Sequence, residues 1–85
     1  MNWRLGWTKP ALRDMKKLDQ KTAQRIEAAL VRLAQEGHGD LDKLTDVEPP
    51  EWRLRVGDYR AFFRYLGDVG ELRVLRVRRR DQAYR

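Results

Sequence analysis

The sequence predicts an α+β fold of two layers, in which two N-terminal helices cover one face of a small, mainly antiparallel four-stranded sheet. Three observations support this prediction. Short segments alternate between apolar and polar residues at the start and through the second half, one amphipathic helical stripe lies between them, and a Gly-Asp pair joins two alternating segments. A chain of 85 residues has room for one domain, 1–85, with the order β-α-α-β-β-β.

The first half supplies one strand and both helices. Asn2 to Trp7 places its tryptophans and Leu5 on one face, as a half-buried strand does. Thr8 is an N-cap for a short first helix that runs to about Leu18. Asp19 caps a second helix, whose apolar stripe ends at Gly37. The mixture of Gly, Asp, Thr and Pro over 37–50 predicts a long loop.

The second half reads as a three-strand meander. Trp52 to Val56 and Tyr59 to Leu66 form a hairpin, and its two-residue turn places Val56 opposite Tyr59 and Arg55 opposite Arg60. A last strand covers 71–79, and a tail begins at 80. The faces of this last strand cannot be assigned from parity, because its apolar residues change parity between 74 and 75; either a bulge intervenes or both faces are partly covered.

Charge divides the chain at Trp52. The net charge of +6 lies after that point, where ten arginines accompany four acids and no lysine, whereas the first 51 residues are neutral. Guanidinium groups keep their charge and present fork-shaped donors that fit a phosphate. With a pI near 10.2, this predicts a polyanion partner, most simply nucleic acid.

Hairpin parity sorts several of these arginines onto the face away from the helices. Arg53, Arg55, Arg60 and Arg64 lie there with Phe62, and Arg78, Arg79 and Arg80 follow at the end of the last strand. Arginines placed directly opposite one another repel, so such a face favours binding over stability. Phe62 either offers a stacking surface for a base or is ordinary packing.

Other residue types give little sign of conventional catalysis. Without cysteine or a long apolar run, the chain is expected to be cytoplasmic, with no metal, no cofactor and no membrane partner. His38 lies between glycines and is expected on the surface. Asp40, Asp42 and Asp46 are expected to be solvated loop charges.

Two segments resemble a known family. The run from Trp52 to Phe63, which reads WRLRVGDYRAFF, and the final RDQAYR from Arg80 are similar to the RelE/ParE superfamily of toxins from type II toxin–antitoxin pairs. The resemblance extends over nearly the whole chain. It implies a RelE-like mRNA interferase, an endoribonuclease that cuts mRNA on the ribosome without metal and so inhibits translation.

The family's functional positions map onto Arg53, Arg55, Arg60, Arg80 and Tyr84. The resemblance implies that the 2′-hydroxyl of the RNA attacks its own phosphate. Arg53 and Arg60 would then clamp the phosphate, Arg80 would stabilise the leaving oxygen, Arg55 would orient, and Tyr84 would act as general base. RelE has lysines where this chain has Arg53 and Arg55, and an arginine does not give up its proton. The exposed helix cations either contact ribosomal RNA, as the family suggests, or are ordinary solvated surface: Lys9, Arg13, Lys16, Lys17 and Lys21.

Two other functions fit the same sequence. A ParE-like toxin of this fold inhibits DNA gyrase and cuts nothing, and a non-catalytic nucleic-acid-binding module would use the same arginine face. A toxin of either branch implies a cognate antitoxin, and the positive charge after Trp52 predicts that the antitoxin's toxin-binding segment is acidic or apolar.

Overall fold

The computed structural model describes residues 2–82 and contains two helices and a five-stranded mixed sheet. In chain order the elements are β1 (Arg4–Trp7), α1 (Lys9–Lys16), α2 (Gln20–Glu36), β2 (Asp40–Lys43), β3 (Trp52–Val56), β4 (Tyr59–Leu66) and β5 (Glu71–Arg79). The sheet order is β1-β5-β4-β3-β2. The predicted α+β class and the helices packed on the sheet are confirmed.

Local capping fixes where the helices begin and end. The Thr8 hydroxyl accepts a hydrogen bond from the Ala11 amide at the start of α1, at 3.2 Å. The Asp19 carboxylate accepts one from the Thr22 amide at the start of α2, also at 3.2 Å. Gly37 ends α2 in the left-handed conformation, with φ of 76°, as a C-terminal glycine does.

The strand count of four was wrong, because residues 40–43 form a strand instead of part of a loop. β2 pairs antiparallel with β3, and Asp42 lies opposite Arg53. Only four residues long and bearing two aspartates and a lysine, β2 lacks the apolar alternation by which strands are recognised. It is an edge strand, and charged residues are common at such edges.

The sheet is also less purely antiparallel than expected, since β1 runs parallel to β5. β1 precedes both helices in the chain and lies at the edge of the sheet beside β5, the last strand. It pairs with β5 only over Glu71–Val74, so within residues 2–82 the second half of β5 has no strand partner on that side.

A bulge in β5 explains its ambiguous pattern. Phe63 pairs with Val74 and Phe62 pairs with Arg76, so Leu75 is the extra residue between them. The bulge puts Leu72, Val74 and Val77 on the same inner face even though their parity changes. Of the two explanations open from the sequence, the bulge is confirmed.

The core lies between this inner face and the helices. Phe63 is fully buried, together with Leu54, Leu72 and Val74 from the sheet and Ile26, Leu30 and Leu33 from α2. The three tryptophans pack against the same core, as strand parity predicts, and so does Met15 of α1. The opposite face of the sheet therefore carries the polar side chains that concern function.

Candidate nucleic-acid interface

Strand pairing places arginines in rows across the outer face of the sheet. Arg55, Arg60 and Arg78 are neighbours on β3, β4 and β5, and we call them the arginine row. The next row contains Arg53, Phe62 and Arg76. The hairpin register, with Arg55 opposite Arg60, is confirmed. Like charges in this arrangement repel unless something compensates them.

The compensation for Arg53 and Arg55 comes from β2. Nη2 of Arg53 donates to Oδ2 of Asp42 at 3.0 Å, and Nη1 of Arg55 donates to Oδ1 of Asp40 at 3.1 Å. Arg55 also pairs with Asp42. The hydrogen bond from Arg53, aided by the charge of Arg55, holds the pKa of Asp42 below its ordinary value of 3.8. The expectation that Asp40 and Asp42 are solvated loop charges was wrong, because β2 brings them onto the arginines.

Glu51 compensates two more arginines. Its carboxylate lies 3.4 Å from Nη2 of Arg64 and 3.2 Å from Nη2 of Arg76, and its side chain is only 12% exposed. The guanidinium of Arg76 in turn covers the ring of Phe62, 4.2 Å from its centroid. Phe62 is 3% exposed, so its ring is packed under Arg76. A base could stack on Phe62 only after Arg76 moves away.

Arg60 is held by the backbone. It is 6% exposed, and its Nη1 donates to the carbonyl oxygens of Gly57 at 2.9 Å and Tyr59 at 2.8 Å. No carboxylate pairs with it among the described residues, and its buried Nε has no hydrogen-bond partner there. A buried cation whose charge is not matched by a carboxylate favours the approach of an anion.

The end of β5 brings further arginines to the hairpin turn. Nη1 of Arg78 donates to Oδ2 of Asp14 on α1 at 2.6 Å, and Arg79 lies 3.7 Å from Asp81. Arg80 is exposed, and its amide donates to the Asp58 carbonyl at 2.6 Å. That bond fixes the backbone of Arg80 beside the turn at which the arginine row lies. Tyr84 falls outside the described residues.

Residues 2–82 contain neither a metal-binding cluster nor a membrane-spanning helix. The described part of the chain holds no group of three or more His, Cys, Asp or Glu side chains able to bind a metal ion. None of its helices is long and apolar enough to cross a membrane.

A match to a protein-family model identifies the family of this chain. The model described as ParE toxin of type II toxin–antitoxin system, parDE, matches residues 5–84. The chain belongs to the ParE toxin family. It is therefore a type II toxin of the RelE/ParE superfamily, as the hairpin and tail predicted. No curated protein sequence matches it.

Solved toxin structures share the fold. The archaeal RelE–RelB complex of Pyrococcus horikoshii matches with a TM-score of 0.78 at 22% identity, over 98% of this chain and 100% of that chain. A RelE mutant of Escherichia coli in the free state matches with a TM-score of 0.68 at 18% identity, over 99% and 90%. A RelBE toxin–antitoxin complex of Mycobacterium tuberculosis matches at 26% identity with a TM-score of 0.63, over 94% and 100%.

The toxin's charge is distributed differently in space than along the chain. Four acids of the neutral first half, Asp14, Asp40, Asp42 and Glu51, are bound to arginines of the second half. Of these four acids, only Asp14 lies on a helix, so α1 loses its single carboxylate to Arg78. The exposed cations on and beside the helices have no ion-pair partner among the described residues: Lys9, Arg13, Lys16, Lys17 and Lys21. The helical surface is consequently basic as well.

The acids were missed although the sequence carries a signal for two of them. Asp40 and Asp42 have the same two-residue spacing as Arg53 and Arg55. Two segments with complementary charges at every second position are what paired antiparallel strands require. Glu51 and Asp14 offer no such pattern, since their partners come from β4 and β5.

Proposed function

We propose that this toxin is a ribosome-dependent mRNA endonuclease, acting in the cytoplasm, whose phosphate-binding site lies where the arginine row meets Arg80. The observation that carries the proposal is the hydrogen bond from the Arg80 amide to the Asp58 carbonyl. It holds the backbone of Arg80, an exposed arginine, beside the turn that joins the strands of Arg55 and Arg60.

The chemistry requires charge stabilisation more than metal or cofactor. Attack by the 2′-hydroxyl on its own phosphate builds negative charge on the phosphate oxygens and on the departing 5′-oxygen. Arg60 is preorganised by two carbonyls and faces no carboxylate among the described residues, which suits a phosphate clamp. Arg80, exposed beside it, supplies charge to the leaving oxygen. Tyr84 remains the proposed base, four residues beyond Arg80.

Arg53 and Arg55 take a different part in this proposal. Because Asp40 and Asp42 neutralise them, they orient the RNA only when its phosphate competes with those carboxylates. Arg78, bound by Asp14, and Arg79, bound by Asp81, act as weaker phosphate contacts for the same reason.

The test is a cleavage assay with purified toxin, translating ribosomes and a reporter mRNA, read by primer extension. Removing a donor that stabilises charge in the transition state costs about 100-fold or more in rate, so Arg80→Ala should lose nearly all cutting. Arg73→Ala is the matched control, because Arg73 is an exposed arginine near the start of β5, the strand that leads to Arg80, and is bound to Glu71 at 2.8 Å. Uncut mRNA with the wild-type toxin would refute the proposal, as would equal rates for the two variants.

Inhibition of DNA gyrase is the second candidate. Two observations favour it: the family model is that of ParE, and the carboxylates on Arg53 and Arg55 weaken the case for a nuclease site there. Inhibition of supercoiling in a purified gyrase assay, with translation unaffected, would select this function over RNA cleavage.

We propose that the toxin's partner, whichever activity it has, is a cognate antitoxin whose toxin-binding segment is acidic or apolar. Several solved structures of this fold are toxin–antitoxin complexes, and the basic helices of this toxin favour an acidic segment. Rescue of growth by a neighbouring small gene whose product binds through a basic segment would contradict this.

A further inference from the structure

A cleft of about 250 Å³ lies where α2 passes the hairpin end of β2 and β3. Its walls carry four basic residues, Arg25, Arg32, His38 and Arg55, and one acid, Asp40. Arg25 and Arg32 are exposed residues of α2, spaced two turns apart, and no part of the proposed cleavage site includes them.

The charge of the cleft is poorly compensated. Arg25 of the cleft has no ion-pair or hydrogen-bond partner within residues 2–82. Arg32 lies 4.0 Å from Glu36, and both side chains are more than half exposed, so this pair contributes little. Asp40 is already engaged by Arg55 at 3.1 Å. The cleft therefore presents a net positive potential to an incoming anion.

Gly57 places one of these cations at the mouth of the cleft. A Cβ on Gly57 would lie 3.0 to 3.2 Å from three atoms of the Arg25 guanidinium, so that group packs against the bare glycine backbone of the turn. Gly57 and Arg55 line the cleft, and Arg55 also belongs to the arginine row. The cleft and the proposed cleavage site thus share a wall.

We propose that this cleft is a second phosphate-binding site, which holds a backbone phosphate of the RNA adjacent to the one at the arginine row. The inference rests on the proposed function for the identity of the nucleic acid. The guanidinium groups of Arg25 and Arg32, both on the α2 wall, can donate to the oxygens of a phosphodiester, whereas Arg55 on the facing wall is already paired with Asp40 and Asp42. Continuity with the arginine row favours one strand of RNA that runs past the Gly57 turn and contacts both sites.

The test measures binding of a short single-stranded RNA, protected by 2′-O-methyl groups, by fluorescence anisotropy at several salt concentrations. Each lost phosphate contact reduces the slope of log affinity against log salt by about 0.7. Exposed charges contribute modestly, so Arg25→Ala and Arg32→Ala should each weaken binding about threefold, and the double variant about tenfold. Lys43→Ala removes the same charge at the other end of β2 and should leave both quantities near wild type.

Arg25→Lys keeps the charge and guards against a folding defect at the turn, with thermal melting of every variant as a check. This variant should retain the salt slope of the wild type. A double variant that loses no more affinity than Lys43→Ala would overturn the proposal, as would tighter binding of duplex DNA than of RNA by the wild type. RNA binding that depends on Arg25 and Arg32 supports the site even if the cleavage assay shows no cutting, so the two proposals fail separately.

Discussion

Asp14 is the side chain that secures the unpaired edge of β5. Beyond Val74 that edge has no strand partner, and Oδ2 of Asp14 accepts hydrogen bonds from the Val77 amide at 2.9 Å and from Nη1 of Arg78 at 2.6 Å. The Asp14 side chain is 19% exposed, so water replaces it poorly. We expect Asp14→Ala to destabilise the toxin and to loosen the end of β5 that carries the proposed site.

The magnitude follows from the two bonds. Loss of a charged acceptor from a buried amide costs about 1.5–3 kcal/mol. The pair with Arg78 adds about 0–1 kcal/mol, because the Arg78 side chain is 39% exposed and can be rehydrated. Asp14→Ala should therefore lower the free energy of unfolding by about 1.5–4 kcal/mol, with a fall in melting temperature of about 4–8 °C per kcal/mol for a chain of this size.

Asp14→Asn separates the two contributions. Its amide oxygen can still accept from the Val77 amide, while the charge that pairs with Arg78 is lost, so the expected cost is about 1 kcal/mol. Urea unfolding gives the free energies, and amide hydrogen exchange reports the Val77 bond directly, with faster exchange in Asp14→Ala only. Equal losses in the two variants, or unchanged exchange at Val77, would refute this account of the β5 edge.

Three further predictions concern the core, pH and the turn. Phe63→Ala should cost about 3–5 kcal/mol in urea unfolding, because Phe63 is fully buried at the centre of the core. The pKa of Asp42 is lower in the folded protein than its ordinary value of 3.8, so its ion pairs stabilise the fold above pH 3.8. This stabilisation is lost as the pH falls through the lower, folded pKa. In Asp42→Asn, the free energy of unfolding should thus fall less steeply as the pH is lowered below 3.8. An unchanged pH dependence would count against a stabilising role for the ion pairs of Asp42. Gly57→Ala and Gly37→Ala both introduce a side chain at positive φ, which costs about 1–2 kcal/mol. A Cβ at Gly57 would also lie 3.0–3.2 Å from the Arg25 guanidinium, but this exposed group can move aside, so both variants should lose a similar amount of stability in the same assay. A much larger loss in either variant would contradict this.

Local signals determined most of the fold. The capping residues Thr8 and Asp19 and the C-terminal Gly37 bound the helices as expected, because a cap acts within one turn of the chain. The two-residue turn at Gly57 and Asp58 fixed the hairpin register, since a tight turn leaves no freedom in pairing. The resemblance carried by the hairpin and tail led to the correct superfamily.

Long-range pairings escaped prediction because nothing local specifies them. β2 has too little apolar character to be recognised before β3 pairs with it, and β1 joins β5 across more than sixty residues of sequence. The β5 bulge was one of two explanations that parity allowed, and the pairing of Phe63 with Val74 chose between them. The roles assigned to Arg60, Arg80 and Tyr84 stay predictions for the cleavage assay.

By itself, the sequence determined that this protein is a small α+β toxin with its positive charge concentrated in the last strands. Only the tertiary structure decided which of those charges are available to a ligand. Asp14, Asp40, Asp42 and Glu51 are distant in sequence from the arginines that they bind, and electrostatic interaction depends on distance in space. Folding therefore neutralises much of the arginine face, and among the described arginines after Trp52 it leaves Arg60 and Arg80 without an ion pair to a carboxylate.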